Sequence, residues 1–550
     1  MDRMAQGFGL RYMGRLPYIL QRSCGILSPV KAFRKDQTKY SIGGTMAEDI
    51  IKIYNQLIER SKQIAVINSC AAVLEWDEQT YMPRPAATYR AEQSAFLAGL
   101  SHEKATDPAI GERLSALEAS PLIDDPVSDT AVNIREIRRE YDRETKIPKE
   151  LVEALSRERT LSQNAWIEAR SNSDFPAFEP HLDTLVGLQR EIADCLGYEK
   201  EPYDALLDNY EPGMTAETVK QIFDAFKDDL VNLVAAIGNS PRKPDTSILQ
   251  RAYDIERQKV FGQAAAAAIG YDFSAGRLDI TEHPFTTGLG PNDVRITTRY
   301  DARQFGQALF GTLHEAGHGI YDQNLADGHY GTPRGESVSL GIHESQSRMW
   351  ENLVGRSRPF WKHFYPRAKQ VFPDVLNDVA FEDFYLAIND VRPSFIRVEA
   401  DEVTYNLHIL LRFELELAFM RGDLAVKDIP GAWNENFQKY FGIPVPDDAN
   451  GCLQDVHWSF GLMGYFPTYT LGNLYAAQFY AQAKAQIRNL EDQFAVGNFS
   501  GLKEWLVTNI HSHGKRYHAE DLVKTVTGQP LSHEPAMGYL REKFGELYGL

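Results

Sequence analysis

The sequence predicts a mostly α-helical protein with one short β element. Three observations carry that expectation. Apolar residues recur at spacings of three and four along most of the chain, as in Ile50, Ile51, Ile53, Tyr54 and Leu57 and again in Phe305, Leu309, Leu313, Ala316 and Ile320. Residues 127–169 carry dense mixed charge at i,i+4 spacing, the pattern of long exposed helices. Only residues 277–300 depart from this regime. There Arg277–Thr281 and Val294–Tyr300 read as two short strands, separated by a Gly/Pro/Asn turn at Gly288–Asn292, so a β-hairpin or small sheet is expected.

In chain order, residues 1–45 stand apart. They hold eight Lys/Arg against Asp2 and Asp36, a local balance of +6 that leaves −24 for the rest of a chain whose formal charge is −18. The stretch is acid-poor, aromatic and amphipathic in patches (Leu10, Tyr12, Met13, Leu16, Ile19, Leu20), which fits an organelle transit peptide. An upstream start codon fits as well, because Met46-Ala47-Glu48 opens a strong helical pattern. Residues 46–550 are expected to form a single helical unit, with residues 1–45 a poorly ordered extension.

From Met46 to about Ser274 the pattern is helical. Leu74–Asp77 runs into Met82-Pro83-Arg84-Pro85, where two prolines end a helix. Residues 86–100, 110–120, 178–196, 216–236 and 247–269 continue the series. After the two strands come the helix over 305–320, a Gly-rich loop from Asp327 to Gly341, and a helix opened by His343-Glu344-Ser345-Gln346. Ile396–Asp401 is read as the start of another helix, and helices continue to the C-terminus after Gly451–Trp458.

Composition narrows the function classes. A hydrophobic content of 43% with no apolar run of about 18 residues excludes an obvious membrane span. The strong negative balance disfavours nucleic acid and anionic membrane as partners. Four scattered cysteines (Cys24, Cys70, Cys195, Cys452) without a C-x-x-C point to a reducing compartment, not a disulfide framework.

The chemistry gathers at Leu313-His314-Glu315-Ala316-Gly317-His318-Gly319, an H-E-x-x-H run. Two histidines four apart lie about 40° apart around a helix, so both imidazoles can reach one ion. A zinc ion with three protein ligands keeps a position open and lowers the pKa of its water to roughly 7. Glu315, on the flank of the pair, can take that water's proton. The bland alternative is a solvated helix face with two histidines. Gly317 and Gly319 argue for a function, because each costs roughly 1 kcal/mol against alanine inside a helix and something must approach closely there. A third ligand must come from a later segment. His343 and Glu344 are both candidates, and spacing does not choose between them. The short sheet beside this helix could offer an edge to an extended substrate, or it could be structural only.

Several motifs stand in one order: His283-Pro284-Phe285, Asp293–Thr297, His314–His318, His343–Gln346, Ile396–Asp401 and Gly451–Trp458. In this they resemble the carboxypeptidase Taq family of metallocarboxypeptidases. Trp76-Asp77…Met82-Pro83 and Pro202-Tyr203-Asp204…Tyr210–Gly213 resemble it too. The resemblance covers roughly Met46 to Leu550. It implies a two-lobed helical fold with a deep central groove, usually a homodimer. It implies removal of single residues from peptide C-termini, with broad preference and poor cleavage next to proline. It implies zinc, with cobalt accepted, held by His314, His318 and Glu344, and Glu315 as general base.

A carboxypeptidase must read a free carboxylate, for which the planar fork of arginine is suited. Arg397 is the first candidate, with Arg295 and Arg348 as alternatives; each could instead be a structural ion pair. His457 is a candidate donor to the tetrahedral intermediate, with Tyr405 and Tyr469 behind it, or else a core histidine beside Trp458. His283 could line the groove. Asp322, Asp401 and Asp455 could orient other side chains. The expected partners are peptides with a free C-terminus. The expected location is the cytoplasm, or a mitochondrion or plastid if residues 1–45 are a transit peptide. The competing functions are a helical metallo-oligopeptidase that cuts internal bonds and a non-catalytic scaffold with a vestigial metal site.

Overall fold

The computed structural model describes residues 44–550, so the basic extension lies almost wholly outside the described residues. These residues divide into two compact units, one within residues up to 145 plus 329–334, the other holding the rest.

The smaller unit is built from α1 (Gly44–Thr80), α2 (Ala87–Ala105), α3 (Pro108–Glu118) and α4 (Asp129–Lys146). Met82 and the prolines at 83 and 85 end α1, as expected, and a single 3₁₀ turn leads into α2. Arg90 closes this corner by donating to the Leu74 carbonyl (2.5 Å) and the Asp77 carboxylate (2.6 Å). Leu57, Leu114, Leu117 and Ile134, all fully buried, form the unit's core.

The larger unit begins with α5 (Lys149–Asn172), α6 (Phe175–Leu196), α7 (Pro202–Leu207), α8 (Ala216–Asn239) and α9 (Ile255–Ile269). Side-chain caps start several of these: Asp174 for α6, Thr215 for α8 and Asp254 for α9. Gly270, at φ +112°, ends α9. The sheet follows, as β1 (Leu278–Ile280), β2 (Thr286–Gly290) and β3 (Asp293–Thr298). Then come α10 (Phe305–Gln323), α11 (Leu340–Arg348), α12 (Arg358–Val371), α13 (Pro373–Leu376), α14 (Phe381–Ile388), α15 (Thr404–Arg421), α16 (Ile429–Phe441) and α17 (Pro467–Gln486), with further helices to the C-terminus.

The small sheet differs from the expected pair of strands. Its order is β1-β3-β2, with β1 parallel to β3 and β2 antiparallel to it. The hairpin is therefore β2–β3, turning at Asn292 with φ +62°. The sequence missed β2 because two of the five residues in Thr-Thr-Gly-Leu-Gly are glycines, which are depleted in strands and read as a turn. Tertiary bonds hold it: Thr297 Oγ1 accepts the Phe285 N–H (2.9 Å), and the Thr297 N–H donates to the Phe285 carbonyl (2.9 Å). Ile396–Asp401 also differs from expectation. It forms one 3₁₀ turn, Arg397–Glu399, and α15 starts only at Thr404. The Asp401 carboxylate accepts the N–H groups of Val403 and Thr404 (2.9 Å each) and so sets the start of α15 there.

Helix α10 is the axis of this unit. Its first residue, Phe305, is buried among Tyr253, Phe261, Trp361, Phe372 and Phe384, with ring centroids 4.7–6.3 Å away. Its two glycines serve close approach. A Cβ on Gly317 would lie 2.6 Å from the Gln346 carbonyl oxygen and 2.7 Å from Cα of Ser347, so α11 packs backbone to backbone on α10. A Cβ on Gly319 would lie 2.7 Å from the Tyr271 ring and 3.2 Å from Ile296 of β3.

The start of α11 is fixed by a buried carboxylate. Glu211 accepts from the Ser339 hydroxyl (2.9 Å), the Tyr475 hydroxyl (2.9 Å) and the Gly341 N–H (3.0 Å), while Ser339 caps the helix through Ile342 N–H (3.1 Å). Burial pushes the pKa of Glu211 up from 4.5 to about 7, against the pull of its three donors. A folded-state pKa above that of the unfolded chain means that folding favours the protonated form. The contribution of Glu211 is complete below about pH 4.5 and is lost as pH rises through about 7. The urea stability of the parent relative to Glu211→Gln is expected to fall between pH 5 and pH 8, by at most about 3 kcal/mol. An equal difference at both pH values would show that this carboxylate is ionised throughout.

Candidate metal and active site

Helices α10 and α11 bring His314, His318 and Glu344 together. Glu344 Oε2 lies 3.7 Å from His314 Nε2 and 3.4 Å from His318 Nε2. One ligand atom of each residue falls within 4.8 Å of the others, and among the described residues no other group of three or more His, Cys, Asp or Glu does so. His343, the other candidate for third ligand, turns elsewhere. Its Nδ1 meets His318 Nδ1 at 2.5 Å and its Nε2 meets Asp322 Oδ1 at 2.9 Å. Adjacent residues on a helix point about 100° apart, so only one of the pair can face α10's histidine edge in this way.

Each member of the triad is held from behind. His314 Nδ1 bonds Glu351 Oε2 (2.9 Å). Arg348 donates from Nε to Glu344 Oε1 (2.7 Å) and from Nη1 to Glu351 Oε2 (3.2 Å), clamping two carboxylates at once. Glu351 lies in a π-helical turn, Met349–Val354, that continues α11. Gly472 of α17 backs Glu344 so closely that a Cβ there would lie 2.6 Å from its Cγ. Glu315 is buried, and the Thr286 hydroxyl from β2 donates to its Oε2 (2.6 Å) and its backbone carbonyl (3.0 Å).

The electrostatics suit a cation. Burial pushes Glu344 up, but Arg348 and the two histidines outweigh it and hold the carboxyl well below the usual range. Glu351 is likewise raised by burial and drawn down to about 2 by Arg348 and His314. Burial, then the neighbouring His343, lower His318 to about 4, so its imidazole is neutral and free to ligate. Burial raises Glu315. Four carboxylates (Asp322, Glu315, Glu344, Glu351) stand against two guanidiniums (Arg348, Arg356) in this network. Two imidazole nitrogens and one carboxylate oxygen fit a divalent ion that keeps an open position.

The other sequence candidates divide into two groups. Arg397, Tyr405 and His457 cluster in a buried network. Arg397 donates from Nε (2.9 Å) and Nη2 (2.8 Å) to Asp455 Oδ1 and from Nη1 to the Tyr405 hydroxyl (3.0 Å). Arg412 takes the other oxygen of Asp455 (2.6 Å). His457 Nε2 is 3.2 Å from the Tyr469 hydroxyl, and burial, then Arg397, lower it to about 3. This network adjoins the triad: the Arg348 guanidinium lies 4.4 Å over the Tyr405 ring. Arg295 and His283 sit on the sheet side. Arg295 places its fork on Asp293 (2.9 Å for both bonds), and His283, before β2, is exposed while its carbonyl accepts from Thr281 (2.8 Å).

Sequence reasoning missed Glu351, Thr286 and Gly472, and gave no role to Glu211, which stands in the Tyr210–Gly213 motif. Glu351 carried a readable signal, standing seven residues after Glu344 and so on the same helix face.

Fold and site together have the character of a helical metallopeptidase. The family model of the carboxypeptidase Taq (M32) metallopeptidases matches residues 56–544. Thermostable carboxypeptidase 1 of Thermus thermophilus is 49% identical over 506 residues, covering 90% of this chain and 99% of that protein. Carboxypeptidase 1 of Bacillus subtilis is 40% identical, with 88% and 97% covered. The crystal structure of a carboxypeptidase from Deinococcus radiodurans superposes with a TM-score of 0.88 at 42% identity, covering 91% of this chain and all of that one (100%). The chain belongs to the carboxypeptidase Taq family and is a metallocarboxypeptidase, a peptide hydrolase. Among the described residues no helix is long and apolar enough to cross a membrane.

The close backing of Glu344 gives a prediction. Gly472→Ala is expected to displace Glu344 and weaken metal binding by about tenfold or more, with a stability loss of about 1–3 kcal/mol from overpacking. Calorimetric titration with zinc checks this, and parental affinity would mean that the contact with Gly472 does not set the position of Glu344.

Proposed function

We propose that this protein removes single amino acids from the free C-terminus of peptides, with broad preference and poor cleavage next to proline. In this reading zinc is held by His314, His318 and Glu344, cobalt can replace it, and Glu315 is the general base. The observation that carries the reading is the placement of Glu315. It is a buried carboxylate fixed by Thr286, on the same helix as two histidines whose Nε2 atoms converge with Glu344.

When bound, the ion polarises the scissile carbonyl and acidifies the attacking water. Glu315 accepts that water's proton and passes it to the departing amine, and Thr286 keeps the carboxylate aimed during both transfers. Glu351 and Arg348 hold His314 and Glu344 in their orientations, so little reorganisation accompanies the reaction.

Arg397 is proposed to receive the substrate's terminal carboxylate. Two guanidiniums, Arg397 and Arg412, share the single carboxylate of Asp455, which leaves one positive charge over in a buried region. Asp455 takes the Nε–Nη2 side of the Arg397 fork and Tyr405 meets Nη1, so an incoming carboxylate would share the Nη1 and Nη2 end of the guanidinium with the Tyr405 hydroxyl. Tyr405 and His457 supply polar groups beside it, with Arg295 and His283 contributing from the sheet side. A homodimer in the cytoplasm, or in an organelle if residues 1–45 direct it there, completes the proposal.

Two peptides acetylated at the N-terminus, one with a free C-terminal carboxylate and one with an amide, test it by mass spectrometry. A ladder of single-residue losses is expected from the free acid alone, abolished by a chelator and restored by zinc or cobalt. Internal cuts in both peptides would favour an oligopeptidase and remove Arg397 from its role. Glu315→Gln is expected to lower kcat by about 10²–10⁴-fold with parental zinc content and circular dichroism. Parental turnover in that variant would exclude Glu315 as the base.

A further inference from the structure

The two histidines of the H-E-x-x-H run are held by different acceptors. His314 Nδ1 meets a carboxylate directly, Glu351 at 2.9 Å. His318 Nδ1 meets a second imidazole, His343 Nδ1 at 2.5 Å. The two rings are 27° from coplanar with centroids 4.5 Å apart, which is the geometry of imidazoles meeting edge to edge with nitrogen facing nitrogen. Beyond His343 stands Asp322, with Oδ1 at 2.9 Å from Nε2. Asp322 is one turn past His318 on α10, so the connection leaves α10, passes through α11 and returns to α10.

Two facing Nδ1 atoms share one proton, and the rest of the site decides where it belongs. His318 turns Nε2 toward Glu344, 3.4 Å away. A nitrogen that holds a cation carries no proton, so the proton of a neutral, ligating His318 is on Nδ1. His343 Nδ1 must then accept it. An imidazole that accepts at Nδ1 holds its proton on Nε2, and there Asp322 Oδ1, 2.9 Å away, receives it. Every donor in the row has an acceptor, and the row terminates in a carboxylate.

We propose that His343 and Asp322 are positioning residues for His318: they lock its Nδ1–H tautomer and its ring orientation through a histidine interposed between ligand and carboxylate. His343 does not ligate the ion in this arrangement, although it is adjacent to Glu344. The inference rests on the ligand set proposed above and adds two residues to it. Tyr321, whose ring centroid is 5.3 Å from that of His343, walls the imidazole on one side and limits its rotation.

The test uses full-length protein stripped by chelator and reloaded. Zinc affinity is read by competition with a chromophoric chelator, and ligand geometry by the visible bands of the cobalt form. The melting temperature of the metal-free protein reads any purely structural effect. His343→Phe removes the acceptor and is expected to weaken zinc binding about 10–100-fold and to shift the cobalt bands. His343→Gln, whose side-chain oxygen can accept from Nδ1–H, is expected to recover part of that loss. Asp322→Asn keeps an acceptor for His343 Nε2–H and is expected to lose less than His343→Phe. Parental zinc affinity and cobalt bands in His343→Phe would overturn the proposal, as would a lowered metal-free melting temperature with unmoved bands. If His343→Phe does not fold, the proposal falls when His343→Gln and Asp322→Asn both match the parent. Glu344→Ala runs in parallel: unchanged affinity there overturns the ligand set itself. Loss in Glu344→Ala with none in His343→Phe overturns the relay alone.

Discussion

The contact between α10 and α11 at Gly317 is the constraint on which the site depends. Glu344 comes within 3.4–3.7 Å of the Nε2 atoms of His314 and His318 across a contact in which the two helix backbones touch. Any side chain at position 317 would strike the backbone at Gln346 and Ser347. The same requirement recurs one layer back, where Gly472 of α17 lets Glu344 be pressed from behind. Glu211 then fixes where α11 starts, through Ser339 and Gly341. Three local features, none of them a ligand, determine where one carboxylate oxygen lies.

That geometry concentrates charge that a protein interior does not hold cheaply. Glu344, Glu351, Arg348 and His314 are joined in one largely buried network. A buried ion pair seldom adds stability over an apolar replacement, because desolvation offsets the attraction. What it does supply is orientation. Arg348 touches both carboxylates and can do so in few arrangements, so Glu344 and the carboxylate behind His314 are fixed by one guanidinium. The glycine at 317 inside a helix has the same logic: a local cost is accepted for a defined placement.

Much of this was legible in the sequence, and what was not has a physical reason. The helix around H-E-x-x-H follows from local spacing alone, and α10 runs from Phe305 to Gln323 as the apolar stripe implies. The two glycines correctly announced a close approach, although not by which partner. His343 and Glu344 could not be separated by spacing, because the choice depends on how α11 is rotated against α10. That rotation is set by contacts with Gly317 and Gly472, which are distant in sequence. Strand β2 was illegible because its glycines give no local signal and Thr297 holds it from another strand. Arg397 was read at a helix start, whereas Asp401 caps α15 three residues further on. A capping aspartate three residues before Thr404 was visible in the sequence, but only the structure shows that it prevails over the earlier pattern.

The two charged networks explain why one unit can address both ends of the reaction. Around His314 and His318 carboxylates outnumber guanidiniums. Around Asp455 two guanidiniums share one carboxylate, and the surplus is positive. On the proposed function a cation belongs to the first and an anion to the second. Arg348 and Tyr405 connect them: the guanidinium that holds Glu344 lies over the ring whose hydroxyl accepts from Arg397. On that reading, in a low-dielectric setting each imbalance is costly until its ligand arrives, and the cost is relieved at both places only when ion and terminal carboxylate are present together. A peptide whose terminus is blocked would leave the second surplus unrelieved. On this reading, preference for a free C-terminus arises from an unbalanced buried charge as much as from any single hydrogen bond.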